Sequence, residues 1–359
     1  MKLLRSKYKW LFIPLLALLC FGLTLIASHY PSLTEEIYSE GLYPFIAGIL
    51  SPVSSLIFFS LDDLFYVFLI LSVPALIVLL ILRKISFRTA GKRILNVLAA
   101  VYILFYVLWG FNYFREDLNT RLQLKNSKIG KDMFQDFLTA LILKTNQSYC
   151  TIQLSGEETD SLVEASYKRL SDVLKLSYPG GNRKDKSITF SRFFAQSGIT
   201  GYFGPFFNEV HVNKKVLPIE YPIVLAHEKA HQFGITSEGE ANFYAWLVCS
   251  NSESQEIRYA ANLYILRHFL NQAYSLRNYP EFVKMIDPGV KNDFNTLGEY
   301  WQKLRNEKMD RVASKVNDAY LKTNKVEKGI MDYSGVVKHV LNFSQDTAFQ
   351  NQIPPASGN

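Results

Sequence analysis

Two histidines four residues apart, His227 and His231, are the side chains of this sequence best spaced for chemistry, and Glu228 directly follows the first of them. On a helix this spacing places both imidazoles on one face, one turn apart, so that both can bind a single metal ion. Zinc accepts neutral imidazole ligands and leaves one position open for water. Glu228 can then act as the general base on that water, whose pKa the metal lowers to about 7. The HExxH pattern therefore predicts a zinc site suited to the hydrolysis of a carbonyl bond.

The residues around the motif predict a buried helix rather than a solvated one. Pro222 suits the first turn of a helix and Gly234 suits its end. Apolar residues lie on both sides of the motif, at 224–226 and at Phe233. Burying two histidines and a glutamate without a partner is costly, which favours a bound metal. Lys229, inside the motif, is expected to point away from the metal and to extend out to solvent.

A third protein ligand is needed, and the predicted helix that opens at Ser237 offers two glutamates. Glu240 is the first choice, because it falls on the face of that helix that carries large apolar residues, and Glu238 is the second. Ser237 and Glu240 also have the spacing of a capping box, which requires no metal. His211, on a predicted strand upstream, is a further candidate, although an ordinary strand histidine is the favoured interpretation.

Other candidate residues stay open on the sequence alone. Three tyrosines, Tyr202, Tyr320 and Tyr333, could each supply a hydroxyl that stabilises an oxyanion, and the pattern does not choose among them. The three cysteines of the chain exclude a disulfide scaffold. Cys150 and Cys249 are expected to be two buried thiols, with a disulfide between them as the alternative.

The first third of the chain has the composition of a membrane anchor. Of 359 residues, 48% are hydrophobic and only 20% are charged, and long uncharged runs lie before residue 113. Three runs are long enough to cross about 30 Å of hydrocarbon, at about 10–28, 64–82 and 94–113. The alternative for the first run is a cleaved signal peptide. The uncharged segment 41–60 is interrupted by proline and glycine. It is expected to be either a fourth span or an interfacial or re-entrant segment.

The basic residues predict how these spans are oriented. Residues 1–112 carry nine Lys and Arg against five Asp and Glu, and the basic residues lie at the amino terminus and within 83–93. The positive-inside rule places both segments in the cytoplasm, which three spans satisfy and four do not. The chain is therefore expected in the lipid bilayer of the cytoplasmic (inner) membrane, with residues 114–359 outside the cytoplasm. No basic stripe remains that would bind nucleic acid.

Residues 114–359 predict a mainly helical domain with a small sheet. Apolar spacing and capping residues predict helices at 129–145, 155–175, 222–233, 237–250, 254–276, 296–322 and 333–343. Strands are predicted at 186–192 and 207–213, and a turn at 179–181. The predicted architecture is an α-helical anchor of three spans (1–113) followed by a mainly α, α+β zincin-like domain (114–359).

Four segments carry a resemblance to a known family: WGFNYFR, GYFGPFFNEVHVN, LAHEKAHQFGITSEGEANF and VNDAYLKTN. Over nearly its whole length the chain resembles the domain-of-unknown-function 3810 family, bacterial three-span membrane proteins with an HExxH domain. HExxH followed by ExEAN is also similar to the pattern of ImmA-like zinc peptidases, in which the glutamate before Ala-Asn is the third ligand. This resemblance implies that His227, His231 and Glu240 bind zinc and that Glu228 is the base.

These features predict a membrane-anchored zinc metallohydrolase, with a peptidase as the favoured kind and a peptide or envelope protein as its substrate. The alternative is a non-catalytic envelope module that uses a zincin-like fold for binding or assembly, which the charged Lys229 favours. A transporter or channel is less favoured, because no span carries an interior charge. The sequence indicates neither the substrate and cleavage preference nor the oligomeric state.

Overall fold

The computed structural model describes residues 8–125, 129–178, 183–324 and 335–356. The chain forms two compact units. The first comprises Met1–Glu116 and Gly204–Glu209, and the second comprises Asp117–Phe203 and Val210–Asn359. The first unit therefore contains the predicted anchor. It also contains residues 204–209, the tip of a short β-hairpin, which lie within the predicted second domain (114–359).

The regular elements of the first unit are helical, apart from the strand residues Gly204 and Glu209 at the hairpin tip. Its helices are a 3₁₀ turn (Lys9–Leu11), α1 (Phe12–His29), α2 (Pro31–Thr34), a π-helical segment (Glu35–Leu42), α3 (Tyr43–Ser55), α4 (Leu61–Ile81), α5 (Phe87–Leu108) and a 3₁₀ segment (Gly110–Phe114). Among the described residues, three stretches are long and apolar enough to cross a membrane: Lys9–His29, Leu61–Ile81 and Phe87–Leu108. The prediction of three apolar spans is confirmed at this level. Within the segment 41–60, α3 has 13 residues, fewer than a helix needs to cross a bilayer.

The hairpin tip is held to the first turn of α4 by two carboxylates. Glu209 accepts hydrogen bonds from the backbone N–H groups of Leu61 (2.9 Å) and Asp62 (3.1 Å). In return, Asp62 accepts hydrogen bonds from the N–H groups of Phe206 (3.3 Å) and Phe207 (3.2 Å). The first N–H groups of a helix have no partner within the helix and favour negative charge, so Glu209 suits this position.

The second unit is mostly helical, with one small sheet. Its elements are α6 (Leu118–Leu122), α7 (Lys131–Ser148), α8 (Gly156–Leu170), β1 (Lys186–Ser187), α9 (Ser191–Gln196), β2 (Gly201–Gly204), β3 (Glu209–Val212), α10 (Tyr221–Gln232), α11 (Glu238–Ser250), α12 (Gln255–Ala273), α13 (Tyr279–Met285), α14 (Pro288–Leu304), α15 (Glu307–Thr323), α16 (Val336–Gln345) and α17 (Thr347–Gln350). The strand order is β1–β3–β2, and β1 runs parallel to β3 with Lys186 opposite His211. The predicted class, mainly helical with a small sheet, is confirmed.

Two predicted elements differ from the structure. The strand predicted at 186–192 ends after Ser187, and α9 follows it. The single helix predicted at 296–322 is two helices, α14 and α15, because Asn306 caps a new helix by accepting hydrogen bonds from the N–H groups of Lys308 and Met309. The predicted turn at 179–181 lies outside the described residues, as do positions 333 and 334 of the last predicted helix.

The core of the second unit is built around α10 and α11. Every residue of α11 from Glu238 to Cys249 is buried. The hydroxyl of Tyr167, on α8, donates a hydrogen bond of 2.6 Å to the carbonyl oxygen of Ala226, which ties α8 to α10. Cys249 is a buried free thiol and Cys150 a partly buried one, so the structure contains the two thiols rather than a disulfide.

Candidate metal centre

The helix α10 carries the motif, and the turn after it brings a second helix back to the histidines. Gly234 has a φ of +80°, a conformation that glycine adopts without strain. Its N–H donates to the carbonyl oxygen of His231 (2.9 Å), and the N–H of Ile235 donates to that of Ala230 (3.2 Å). These bonds end α10 with a tight reversal. The following helix, α11, therefore starts beside the end of α10.

His227, His231 and Glu238 form one compact cluster. The Nε2 atoms of the two histidines are 3.0 Å apart. Glu238 Oε2 lies 3.1 Å from His227 Nε2 and 3.6 Å from His231 Nε2. The three side chains are 13%, 10% and 11% exposed, so the cluster is nearly shielded from solvent. Two imidazoles and a carboxylate are a common ligand set of catalytic zinc sites.

The hydrogen bonding and the charge of this cluster suit a bound cation. His231 Nδ1 lies 2.6 Å from the carbonyl oxygen of Ile235, which fixes the ring and leaves Nε2 directed at the cluster. Burial alone would lower the pKa of His231, but the Glu238 carboxylate outweighs it and raises the pKa to about 9. Burial would likewise raise the pKa of Glu238, whereas the two histidines hold it well below its usual range. The Glu238 carboxylate therefore favours a positive charge beside it, which is a proton on His231 or a bound cation.

The carboxylate of Glu238 gives a further sign that a cation fits. Apart from the two histidine rings, its buried Oε2 atom has no hydrogen-bond partner in the described part of the chain. A buried carboxylate oxygen needs a proton donor or a cation beside it. A metal ion bound by both imidazoles and this oxygen would satisfy it. The donor set present therefore fits zinc.

Glu240, the first choice for third ligand, lies elsewhere. One of its carboxylate oxygens accepts a hydrogen bond from the N–H of Leu118 (2.9 Å), and the other pairs with the guanidinium group of Arg121. The structure therefore brings Glu238, and not Glu240, beside the histidines. The reason is helical geometry, because residues two apart on a helix point in different directions. Only half of the expected capping box is present, since Ser237 accepts from the N–H of Glu240 at 3.3 Å while the carboxylate is turned away.

Glu228 is buried, and its carboxylate occupies space left by a glycine. A Cβ atom placed on Gly201, in β2, would lie 2.7 Å from Glu228 Oε1 and 2.9 Å from the carbonyl oxygen of His211. Burial raises the pKa of Glu228, although His227 and His231 act in the opposite direction. No spacing in the sequence connects Gly201 with Glu228, so this contact is visible only in the structure.

Lys229 was expected to extend to solvent, but the structure buries its side chain completely. Its Nζ atom is fully buried, 2.9 Å from Asp160 Oδ1 and 2.6 Å from Glu164 Oε2, and it donates to the carbonyl oxygen of Arg183 at 2.9 Å. Glu164 also lies 3.5 Å from Arg183 Nε. Burial would raise the pKa of Glu164, but Arg183 and Lys229 hold it below its usual value. The lysine therefore serves the packing of α10 against α8, as part of a buried ionic network.

Three further candidates, His211, Tyr202 and Tyr320, lie outside the cluster of the two histidines and Glu238. His211 is buried in β3, where its ring stacks on that of Tyr202 with centroids 4.2 Å apart and its Nδ1 lies 3.3 Å from the Tyr202 carbonyl oxygen. Tyr320 is on α15 and is 41% exposed. Tyr333 lies outside the described residues.

Comparison with known proteins identifies a family. A family model described as "Protein of unknown function (DUF3810)" matches residues 38–341, a stretch that includes two of the three apolar spans and both helices of the cluster. No curated protein and no solved structure matches the chain.

Proposed function

This chain belongs to the DUF3810 family of proteins of unknown function, and from its cluster of two histidines and a glutamate we propose that it is a membrane-anchored zinc metallohydrolase. The observation that carries the proposal is that the donor atoms of His227, His231 and Glu238 all lie within 4.8 Å of one another. Together with the small sheet, the two helices α10 and α11 would then form a zincin-like active site.

The residues of this chain have distinct tasks in such a reaction. His227, His231 and Glu238 would hold the metal, and the hydrogen bond from His231 Nδ1 to Ile235 would keep that ring oriented. Zinc bound there would supply Lewis-acid chemistry and lower the pKa of water towards about 7. Glu228 would take a proton from the attacking water as the C–O bond forms, and deliver it to the leaving nitrogen as the C–N bond breaks. Its burial suits the first of these steps, since a raised pKa makes the carboxylate a better proton acceptor.

A peptide bond is the substrate that we favour. The HExxH spacing combines a metal with a glutamate base, which is what hydrolysis of an unreactive amide needs. The excess of basic residues near the amino terminus and at 83–93 supports placing the site outside the cytoplasm, with the spans in the cytoplasmic membrane. Peptides or envelope proteins would then be the substrates within reach.

The rival function, a non-catalytic binding or assembly module, was favoured by the charge of Lys229. The ion pairs of that lysine with Asp160 and Glu164 on α8 account for its charge inside the motif, and its ammonium group lies away from the cluster of His227, His231 and Glu238. This placement supports the catalytic proposal over its rival.

The test is zinc content and hydrolysis of the full-length chain in detergent. We expect one zinc per chain in the wild type, its loss in His231→Ala and Glu238→Ala, and its retention in Glu240→Ala. Glu228→Gln should keep zinc and lose hydrolysis of every peptide that the wild type cleaves, by roughly 100-fold or more. Circular dichroism of each variant separates loss of metal from loss of fold.

Three results would count against the proposal. Zinc lost with Glu240→Ala but kept with Glu238→Ala, in folded protein, would reject the ligand set. Unchanged hydrolysis in Glu228→Gln would reject the base. A folded wild type that takes up no zinc would reject the metallohydrolase and leave the binding module as the better account.

A further inference from the structure

The helix α15 (Glu307–Thr323) presents an apolar ridge to solvent. Val312, Val316 and Tyr320 are 62%, 65% and 41% exposed. They follow one another at intervals of four residues, so they lie on one face over two turns. The helix packs inward through Leu321, which is only 1% exposed. Contiguous exposed apolar side chains of this kind mark an interaction surface.

Basic side chains line one side of this ridge. At about 100° per residue they fall within an arc of about 60° next to it. All four are exposed: Lys308, Arg311, Lys315 and Lys322. Asp310 and Asp318 lie outside this arc and are half-buried, and Asp318 pairs with Lys322 at 2.8 Å. The exposed acidic residue Glu307 lies about two and a half turns from Val316, on the opposite side of the helix.

A neighbouring segment adds exposed aromatic side chains. The N–H of Asn306, which caps α15, donates a hydrogen bond of 2.9 Å to the carbonyl oxygen of Gln196 at the end of α9. Just before and within α9, Phe190 and Phe193 are 53% and 59% exposed, and Arg192 between them is also exposed. The start of α15 is therefore joined to a segment with the same combination of apolar and basic groups.

We infer that α15 and the segment 190–193 dock on the surface of an anionic lipid bilayer. The apolar ridge would enter the boundary between headgroups and acyl chains, and the basic row would lie against lipid phosphates. Long basic side chains can cover apolar surface while their charges stay in water, which suits their place beside the ridge. A bilayer is the occupant that fits best, because the row is cationic and the chain itself has three helices able to cross a membrane. This inference does not depend on the zinc site.

The experiment uses the full-length chain reconstituted into vesicles, with Cys150 replaced by serine to remove the partly exposed thiol. An environment-sensitive fluorophore is attached at Val316→Cys, or at Glu307→Cys as the matched control on the opposite side of the same helix. Vesicles contain phosphatidylcholine alone or an equal mixture of phosphatidylcholine and phosphatidylglycerol. We expect blue-shifted emission, quenched by a lipid with a nitroxide on its acyl chain, at position 316 in the mixed vesicles. The shift should be weaker in phosphatidylcholine and absent at 307.

Replacing Lys308, Arg311 and Lys315 together by glutamine should remove the dependence on phosphatidylglycerol, and these exposed positions tolerate the change. Equal water exposure of the labels at 316 and 307 in both vesicles would overturn the inference. So would a blue shift at 316 that the acyl-chain nitroxide does not quench even at low protein density, which would mean that the chain covers its own ridge. A shift that follows protein density and ignores the acyl-chain quencher would assign the ridge to a second copy instead.

Discussion

At the scale of single residues, Gly201 decides where the Glu228 carboxylate can lie. The space that a Cβ atom would fill at position 201 is occupied by Glu228 Oε1, 2.7 Å away. We predict that Gly201→Ala keeps zinc but lowers hydrolysis by about 100-fold, because the added methyl group displaces the Glu228 carboxylate from its position; it also crowds the His211 carbonyl oxygen, 2.9 Å away, so circular dichroism must show that the variant is folded. Zinc analysis and turnover of a peptide cleaved by the wild type measure the two effects.

Gly298→Ala is the matched control for this substitution. A Cβ atom at position 298, in α14, meets no other atom within 4 Å, so both zinc content and turnover should stay at the wild-type level. Full activity in Gly201→Ala would show that Glu228 does not act from the position described.

The two glutamates of α11 show what the sequence could and could not predict about the site. Spacing predicted the roles of His227, His231 and Glu228, because the helical period fixes which side chains share a face. The apolar face of the predicted helix favoured Glu240 over Glu238, but the whole stretch from 238 to 249 is buried, so burial distinguishes neither glutamate. The choice depends on the direction in which the Gly234 turn sends the chain, and on Arg121, which lies more than 100 residues away in sequence.

At the scale of elements, the contact between α8 and α10 depends on Lys229. Its ammonium group is fully buried between Asp160 and Glu164. Lys229→Met should lower the free energy of unfolding by roughly 3 kcal/mol or more, because it leaves buried charges without their partner. Lys184→Met is the control, because Lys184 pairs with Glu157, which is also on α8, and the two side chains are 59% and 80% exposed. The free energy of unfolding should therefore fall by no more than about 1 kcal/mol. Denaturant titration in detergent gives both values, and similar losses would contradict a structural role for the buried network.

The same network predicts a pH dependence. The pKa of Glu164 is held below its usual value by Arg183 and Lys229, so its ionised form stabilises the fold. That contribution is complete above the pKa of the unfolded chain, about 4.3, and is lost as the pH falls through the lower folded value. The difference in unfolding free energy between the wild type and Glu164→Gln should therefore be constant near neutral pH and shrink below about pH 4. A difference that grows on acidification would have the wrong sign for this network.

Periodicity predicted the long helices of the second unit well and its short elements poorly. The helices α7, α8, α10, α11 and α12 carry enough turns for apolar spacing and caps to be recognised. Strands of two to four residues are too short to alternate visibly, which is why β1 was extended and β2 missed. The break between α14 and α15 contains neither proline nor glycine, and Asn306 marks it only once its capping bonds are known.

At the scale of the whole molecule, the orientation in the membrane is the feature that most limits the choice of substrate. If basic residues at the amino terminus and at 83–93 stay in the cytoplasm, residues after Phe114 are outside it. Alkaline phosphatase, active only outside the cytoplasm, should therefore be active when fused after Phe114 and inactive when fused within 83–93. The reverse pattern would place the metal cluster in the cytoplasm and change the class of substrate.

The hairpin formed by β2 and β3 has a consequence for any attempt to separate the two units. Its strands carry Gly201 and His211, whereas its tip is held by the first turn of α4 through Glu209 and Asp62. A protease that cut after Glu116 would leave the HExxH motif intact in the released piece, yet the hairpin tip would lose these hydrogen bonds to α4. Shedding from the membrane would thus expose two phenylalanines and loosen the strand beside Glu228. If the chain is the hydrolase proposed above, cleavage after Glu116 would lower its activity instead of releasing an active enzyme.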